Sequence, residues 1–173
     1  LAENVTLYMP VLPGFDGTSE IDGVASMETL ADLVADFIDK EIGEAVDVLG
    51  LSFGGWLGAW LAVRHPSKVG QLCLENPAGF RPDSMGAPSS DPKLRKQQMY
   101  AYPDRLPPET KSEDVLAKNR AMLGHYHGKT SFDADLAAQL SKIECLTLIM
   151  HGTRDGRVPE EAVQLLKRDI PRS

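Results

Sequence analysis

The chain has 173 residues, 42% apolar and 25% charged, the mix of a globular domain long enough to bury one core. Its 15 glycines, 12 prolines and 2 cysteines exclude collagen-like, disordered and disulfide-scaffold classes. A net charge of −7 leaves no basic stripe to neutralise phosphates, which argues against a nucleic-acid partner.

Val5–Met9 is a short β-rich run closed by Pro10 and predicts a strand. The turn-rich VLPGFDGTS, 11–19, reads as a loop. Ser26 is a helix cap, and Met27, Leu30, Val34, Phe37 and Ile38 then recur at helical spacing up to a stop at Gly43. Ala45–Leu49 predicts a second strand, Gly50–Gly55 a tight turn, and Trp56–Val63 a buried helix ended by His65-Pro66. Val69–Leu74 predicts a third strand. This alternation with short connections is the pattern of a parallel sheet covered on both faces.

The pattern then changes. Residues 77–110 hold seven prolines (77, 82, 88, 92, 103, 107 and 108). Short helices are predicted at Lys93–Tyr100, Ser112–Leu123 and Asp133–Ile143, with no strand between them. Residues 81–142 therefore read as a mainly helical insertion. Leu146–Met150 resumes the strand pattern, and a helix opens at Pro159 after the loop His151–Val158. Residues 1–86 hold 4 basic and 13 acidic side chains, residues 87–173 hold 14 and 12, which marks a change of surface character along the chain.

The longest uncharged run, Val48–Val63, falls short of the ~20 residues of a membrane span. Gly50, Gly54 and Gly58 mimic a membrane-helix packing motif, but the glycines and Ser52 fit a strand–turn–helix better. Cys73 and Cys145 lack metal-ligand spacing and read as buried reduced thiols. Asn4-Val5-Thr6 is a glycosylation sequon, relevant only in a secreted protein. No signal peptide, cofactor motif or metal motif stands out, and a cytoplasmic location is the default.

Gly50-Leu51-Ser52-Phe53-Gly54 is G-x-S-x-G, placed between a β-rich run and an apolar helix, the context that gives the motif meaning. A turn this sharp forces its central residue into a strained conformation and lifts the Ser52 hydroxyl out of the sheet edge. Side chains at the flanking glycines are expected to collide with neighbouring backbone. The Phe53 amide opens the helix and can stabilise an oxyanion. The bland alternative is a glycine-rich turn that only packs a helix onto a sheet. A nucleophilic serine needs a base and an orienting acid, and in parallel sheets such groups collect at the carboxyl ends of strands. Asp155 follows the Leu146–Met150 strand, and Glu75 follows Val69–Leu74 directly. Asp155 reads equally well as a surface carboxylate paired with Arg154 or Arg157.

Three ordered motifs resemble the α/β-hydrolase fold superfamily, in its serine branch with a helical cap. LPGFDGTS (12–19) resembles the loop after that family's fourth strand. VLGLSFGG (48–55) resembles its nucleophile elbow, and LIMHGTRDGRVP (148–159) the end of the strand that carries its triad acid. The resemblance implies a mostly parallel sheet with flanking helices, incomplete at both ends. It divides the chain into a core of residues 1–80 and 143–173 with a cap at 81–142. It implies Ser52 as nucleophile, Asp155 as acid with Glu75 as the alternative, and the Phe53 amide as half of an oxyanion hole. No cofactor or metal is implied.

Two departures accompany it. The family's triad histidine falls beyond Ser173, and its second oxyanion amide follows a strand that falls before Leu1. The chain thus reads as an internal fragment. Among its own histidines, His151 is the least unsuitable base, His125 and His127 lie in the expected cap, and His65 suits a helix end. With no strand between Val5–Met9 and Ala45–Leu49, the 173 residues alone are expected to be poorly stable and inactive.

The function implied is hydrolysis of a carboxylic ester or related small-molecule acyl substrate. Serine at the elbow argues against the dehalogenase and epoxide-hydrolase branches, which use aspartate there. C–C bond hydrolysis beside a ketone and a non-catalytic binding role on the same fold stay open. Met99, Tyr100, Tyr102, Met122 and Tyr126 either line an apolar pocket in the cap or simply pack. Neither a membrane nor a nucleic-acid partner is expected, and the oligomeric state is open.

Overall fold

The computed structural model describes residues 4–86, 89, 91–128 and 130–173; Pro88 of the proline-rich stretch lies outside them. Helix α1 spans Met27–Phe37 and is opened by a capping box. The Ser26 hydroxyl accepts the Thr29 amide, and the Thr29 hydroxyl accepts the Ser26 amide. A π-helical turn, Ile38–Ile42, extends α1 to Gly43, which stops it at φ 81°, a left-handed value that glycine adopts without steric cost.

Strand β1 (Val46–Leu51) runs straight into helix α2 (Phe53–Arg64), and β2 (Val69–Glu75) follows. The insertion carries α3 (Pro92–Met99), α4 (Glu113–His127) and the single turn α5 (Ala134–Ala137). The last strand is β3 (Leu146–Met150), and α6 (Glu160–Asp169) takes Pro159 as its N-cap. The three strands are parallel in the order β1-β2-β3. Their carboxyl ends therefore share one edge.

The core is one cluster. Leu30 and Ile38 of the first helical segment, Trp60 and Leu61 of α2, Leu72 and Leu74 of β2, and Leu166 of α6 all belong to it. So do Leu136, Leu140 and Ile143, which anchor the end of the insertion. Asp133 reinforces that anchor: its Oδ2 accepts the indole N–H of Trp56 at 2.7 Å and of Trp60 at 2.8 Å.

Three observations differ from the sequence reading. Val5–Met9 is not a strand and stays exposed, because no neighbouring strand among the described residues completes its ladder and β propensity alone cannot hold a lone strand. Among the described residues the sheet is covered on one face only. On the other, Leu49 (70% exposed), Leu51 (58%), Leu146 (52%) and Leu148 (57%) are open, as is the far edge of β1. The two cysteines are free but only partly buried. Cys73 lies on the bare face with its Sγ 3.6 Å from Met150 Sδ, and burial, followed by the charge of Glu75, pushes its thiol pKa up. No helix among the described residues is long and apolar enough to cross a membrane.

Candidate active site

Ser52 sits at the junction of β1 and α2 with φ 51° and ψ −111°, a strained conformation for a residue with a Cβ that costs about 1–3 kcal/mol. Its backbone is heavily tied. The Ser52 amide donates to the Glu75 carbonyl at 2.9 Å, and the Ser52 carbonyl accepts amides from Gly55, Trp56 and Ala78. The side chain is exposed and makes no capping hydrogen bond. The hydroxyl is thus held outward at the carboxyl edge of the sheet by the backbone alone. The first amide of α2, that of Phe53, has no partner within the helix and lies beside it.

The glycines divide the steric work differently from the motif's spelling. A Cβ on Gly50 would lie 2.4 Å from the Gly54 carbonyl oxygen, and one on Gly55 would lie 2.8 Å from Pro77 Cβ. A Cβ on Gly54 would meet nothing within 4 Å. The expected collision holds at Gly50 and fails at Gly54; Gly55 is the second glycine the turn requires.

Asp155 lies in the loop after β3. Its Oδ1 accepts the amides of Arg157 at 2.6 Å and Val158 at 2.9 Å, which fixes the carboxylate and leaves Oδ2 without a described partner. Among the described residues Asp155 forms no ion pair with Arg154 or Arg157. The loop is tied to β2 through Asn76. The Asn76 amide donates to Met150 O at 2.9 Å, and its Oδ1 accepts the Gly152 amide at 3.0 Å. Asn76 has φ 42°, and asparagine tolerates that region better than most residues.

Ser52 and Asp155 share the edge but not a contact. One strand lies between β1 and β3, so their strand ends stand about 10 Å apart. Glu75, the alternative acid, ends β2; it alternates onto the bare face with Cys73, opposite the buried Leu74.

The four histidines each make other contacts. His65 Nε2 is 2.7 Å from Asp32 Oδ1, at the far end of α2. His151 Nε2 donates to the Val158 carbonyl at 2.9 Å. His125 lies against Tyr126, and His127 against Trp56 at 5.1 Å between ring centroids. Among the described residues no group of three or more His, Cys, Asp or Glu is placed to hold a metal ion.

The insertion packs against Phe53, the neighbour of Ser52. Phe53 lies 5.6 Å from Phe15 of the 12–19 loop and 5.5 Å from Tyr126 of α4. Met122 is buried and reaches Gly14, where a Cβ would come within 2.3 Å of its Cε. Asp16 clamps the same loop to the insertion, accepting from Lys111 Nζ at 2.6 Å and Asn119 Nδ2 at 2.7 Å; these bonds hold its carboxyl below the ordinary range. Met99, Tyr100 and Tyr102, by contrast, are exposed. Sequence reasoning missed Asn76, Asp133 and the clamp at Asp16, since each acts through partners at least 73 positions away.

Comparison with known proteins follows the same lines. The family profile described as "Alpha/beta hydrolase family" matches residues 1–172. A pimeloyl-[acyl-carrier protein] methyl ester esterase from Citrobacter koseri is 27% identical, with 100% of this chain and 74% of the relative aligned. Among solved structures, a bacterial membrane phospholipase A superposes with a TM-score of 0.72 at 23% identity, over 93% of this chain and 58% of that one. A meta-cleavage product hydrolase from Pseudomonas fluorescens superposes at 0.67 and 19% identity, over 93% and 66%. The chain thus spans about three quarters of the esterase and less than two thirds of the solved phospholipase.

Proposed function

The chain belongs to the alpha/beta hydrolase family, and from that premise we propose that it carries the nucleophile and orienting acid of a serine hydrolase acting on carboxylic esters. Ser52 Oγ attacks the acyl carbonyl, a histidine takes its proton, and Asp155 Oδ2 orients that histidine. The Phe53 amide supplies one oxyanion donor. The ester C–O bond breaks as the histidine gives that proton to the leaving alcohol, and water, deprotonated by the same histidine, then releases the acyl group from Ser52 as a carboxylic acid.

The observation that carries this reading is the conformation of Ser52. A strained, exposed serine whose carbonyl accepts three hydrogen bonds and whose hydroxyl caps nothing is a cost that a purely structural turn does not need. The fixed Asp155 carboxylate, with one oxygen spent and one free, supports it. The base is assigned to a histidine outside residues 1–173, because His65, His125, His127 and His151 are each placed against other partners. An ester is favoured over a C–C bond because the esterase relative is the more similar in sequence, while the meta-cleavage hydrolase resembles this chain in fold. The helical insertion 81–142 is assigned the role of a cap, with Met122 and Tyr126 beside the acyl group.

The test uses the full-length protein. A serine-directed fluorophosphonate should label Ser52, and Ser52→Ala should abolish labelling and lower ester turnover about 10⁶-fold, as loss of a triad serine does. Unchanged turnover in Ser52→Ala overturns the assignment. Labelling that never occurs favours a binding protein on the same fold.

A further inference from the structure

Three side chains that this mechanism leaves unused gather at the carboxyl edge of the sheet. Arg81 follows β2, Arg157 follows Asp155 in the β3 loop, and His127 ends α4. Arg81 is only 8% exposed. Its Nη2 donates to the Gly86 carbonyl, but its Nε is buried with no partner, as is Nδ1 of His127. Among the described residues no carboxylate forms an ion pair with either arginine.

The nearest acids are otherwise occupied. Asp155 Oδ1 holds two loop amides. Asp83 accepts from the Thr130 hydroxyl at 2.8 Å and the Ser131 amide at 2.7 Å. The cations also oppose one another. Burial pushes the Arg157 pKa down and Arg81 adds to it, with Asp155 acting the other way. Burial, then Arg157 and Arg81, push His127 down, so that it stays neutral near pH 7.

A buried guanidinium with an idle donor, next to a second one, is destabilising unless an anion joins them. The location gives that anion a purpose. Ala78, whose amide binds the Ser52 carbonyl, is three residues from Arg81, a backbone span of at most about 10 Å. We propose that Arg81 and Arg157, with His127 as a hydrogen-bonding neighbour, form a subsite for a compact oxyanion, carboxylate or phosphate, carried by the substrate a short chain away from the scissile bond. The proposal rests on the hydrolase reading for its substrate but not for its binding chemistry. Each guanidinium presents a planar fork of N–H donors, the donor set that suits a carboxylate or phosphate.

The experiment uses the full-length protein with Arg81→Gln and Arg157→Gln variants. Isothermal titration calorimetry with glutarate and with inorganic phosphate should show saturable binding of at least one, weakened about ten- to a hundredfold in each variant. Which of the two binds separates a carboxylate from a phosphate substrate. In turnover, the preference for p-nitrophenyl hemiglutarate over neutral p-nitrophenyl pentanoate should fall by the same factor in the variants. Arg157 is half-buried, so Arg157→Gln keeps the test decisive if Arg81→Gln does not fold. No binding of either anion, or binding that both folded variants retain, overturns the subsite. Anion binding without any ester turnover supports the subsite and removes the hydrolase reading; turnover without anion binding does the reverse.

Discussion

A methyl group on Gly50 would lie 2.4 Å from the carbonyl oxygen of Gly54, across the turn that bears Ser52. No side chain can shift to relieve that contact, since both partners are backbone. Gly50→Ala should therefore destabilise the fold by about 3 kcal/mol or disrupt the turn outright. Gly54→Ala meets open space inside a helix and should leave the melting temperature unchanged or raise it, by up to about 1 kcal/mol in stability. Thermal melts of the two variants of the full-length protein check the contrast. Equal destabilisation would remove it.

The two candidate acids differ in support. Asp155 is held by two amides, while Glu75 faces away with Cys73. Asp155→Asn should lower ester kcat about 10⁴-fold in the full-length enzyme, and Glu75→Gln should change it less than tenfold. Steady-state kinetics decides, and the opposite ranking moves the acid to Glu75.

Asp133 joins the insertion to α2 by accepting two indole N–H groups with one oxygen. Asp133→Ala leaves both buried indoles without an acceptor and removes the cap on the Leu136 amide. A loss of about 2–4 kcal/mol is expected, measured by denaturant unfolding.

Asp32 binds Arg64 through two hydrogen bonds, at 2.8 and 2.7 Å, and meets His65 at 2.7 Å. Arg64 and then His65 hold its carboxyl below its ordinary value of 3.8. A carboxyl with a depressed folded pKa stabilises above its unfolded pKa and loses that contribution as pH falls through the folded one. The wild type should therefore melt above Asp32→Asn at pH 6, with the gap closing as the pH falls below 3.8 and through the folded pKa. The side chain is 39% exposed, so the gap is small, under about 1 kcal/mol.

Residues 1–173 expressed alone should self-associate. The free edge of β1 and the bare leucines of the sheet offer both backbone pairing and apolar area. Light scattering of a purified 173-residue product checks this, and a monomer that unfolds cooperatively contradicts it.

Much of this was legible in the sequence, for local reasons. The parallel strands, the helix cap at Ser26 and the stop at Gly43 each follow from a few adjacent residues. Leu146–Met150 was legible to the residue, because Thr147 and its apolar neighbours end at the polar His151–Asp155 loop. What was hidden depends on partners distant in sequence. Val5–Met9 has strand propensity but no ladder. Gly55, not Gly54, faces Pro77. Nothing local marks the burial of Arg81, and the run Asp133–Ile143 does not show that two indoles meet on Asp133.

That last node has a practical side. Trp56 and Trp60 are the only tryptophans in these residues, both are buried, and both hydrogen-bond to the same carboxylate. Intrinsic fluorescence from this chain is therefore a reporter of a single place. It will register the insertion lifting from α2, through a red shift and altered quenching as the indoles lose Asp133 and meet water, while events confined to the exposed sheet face pass unseen.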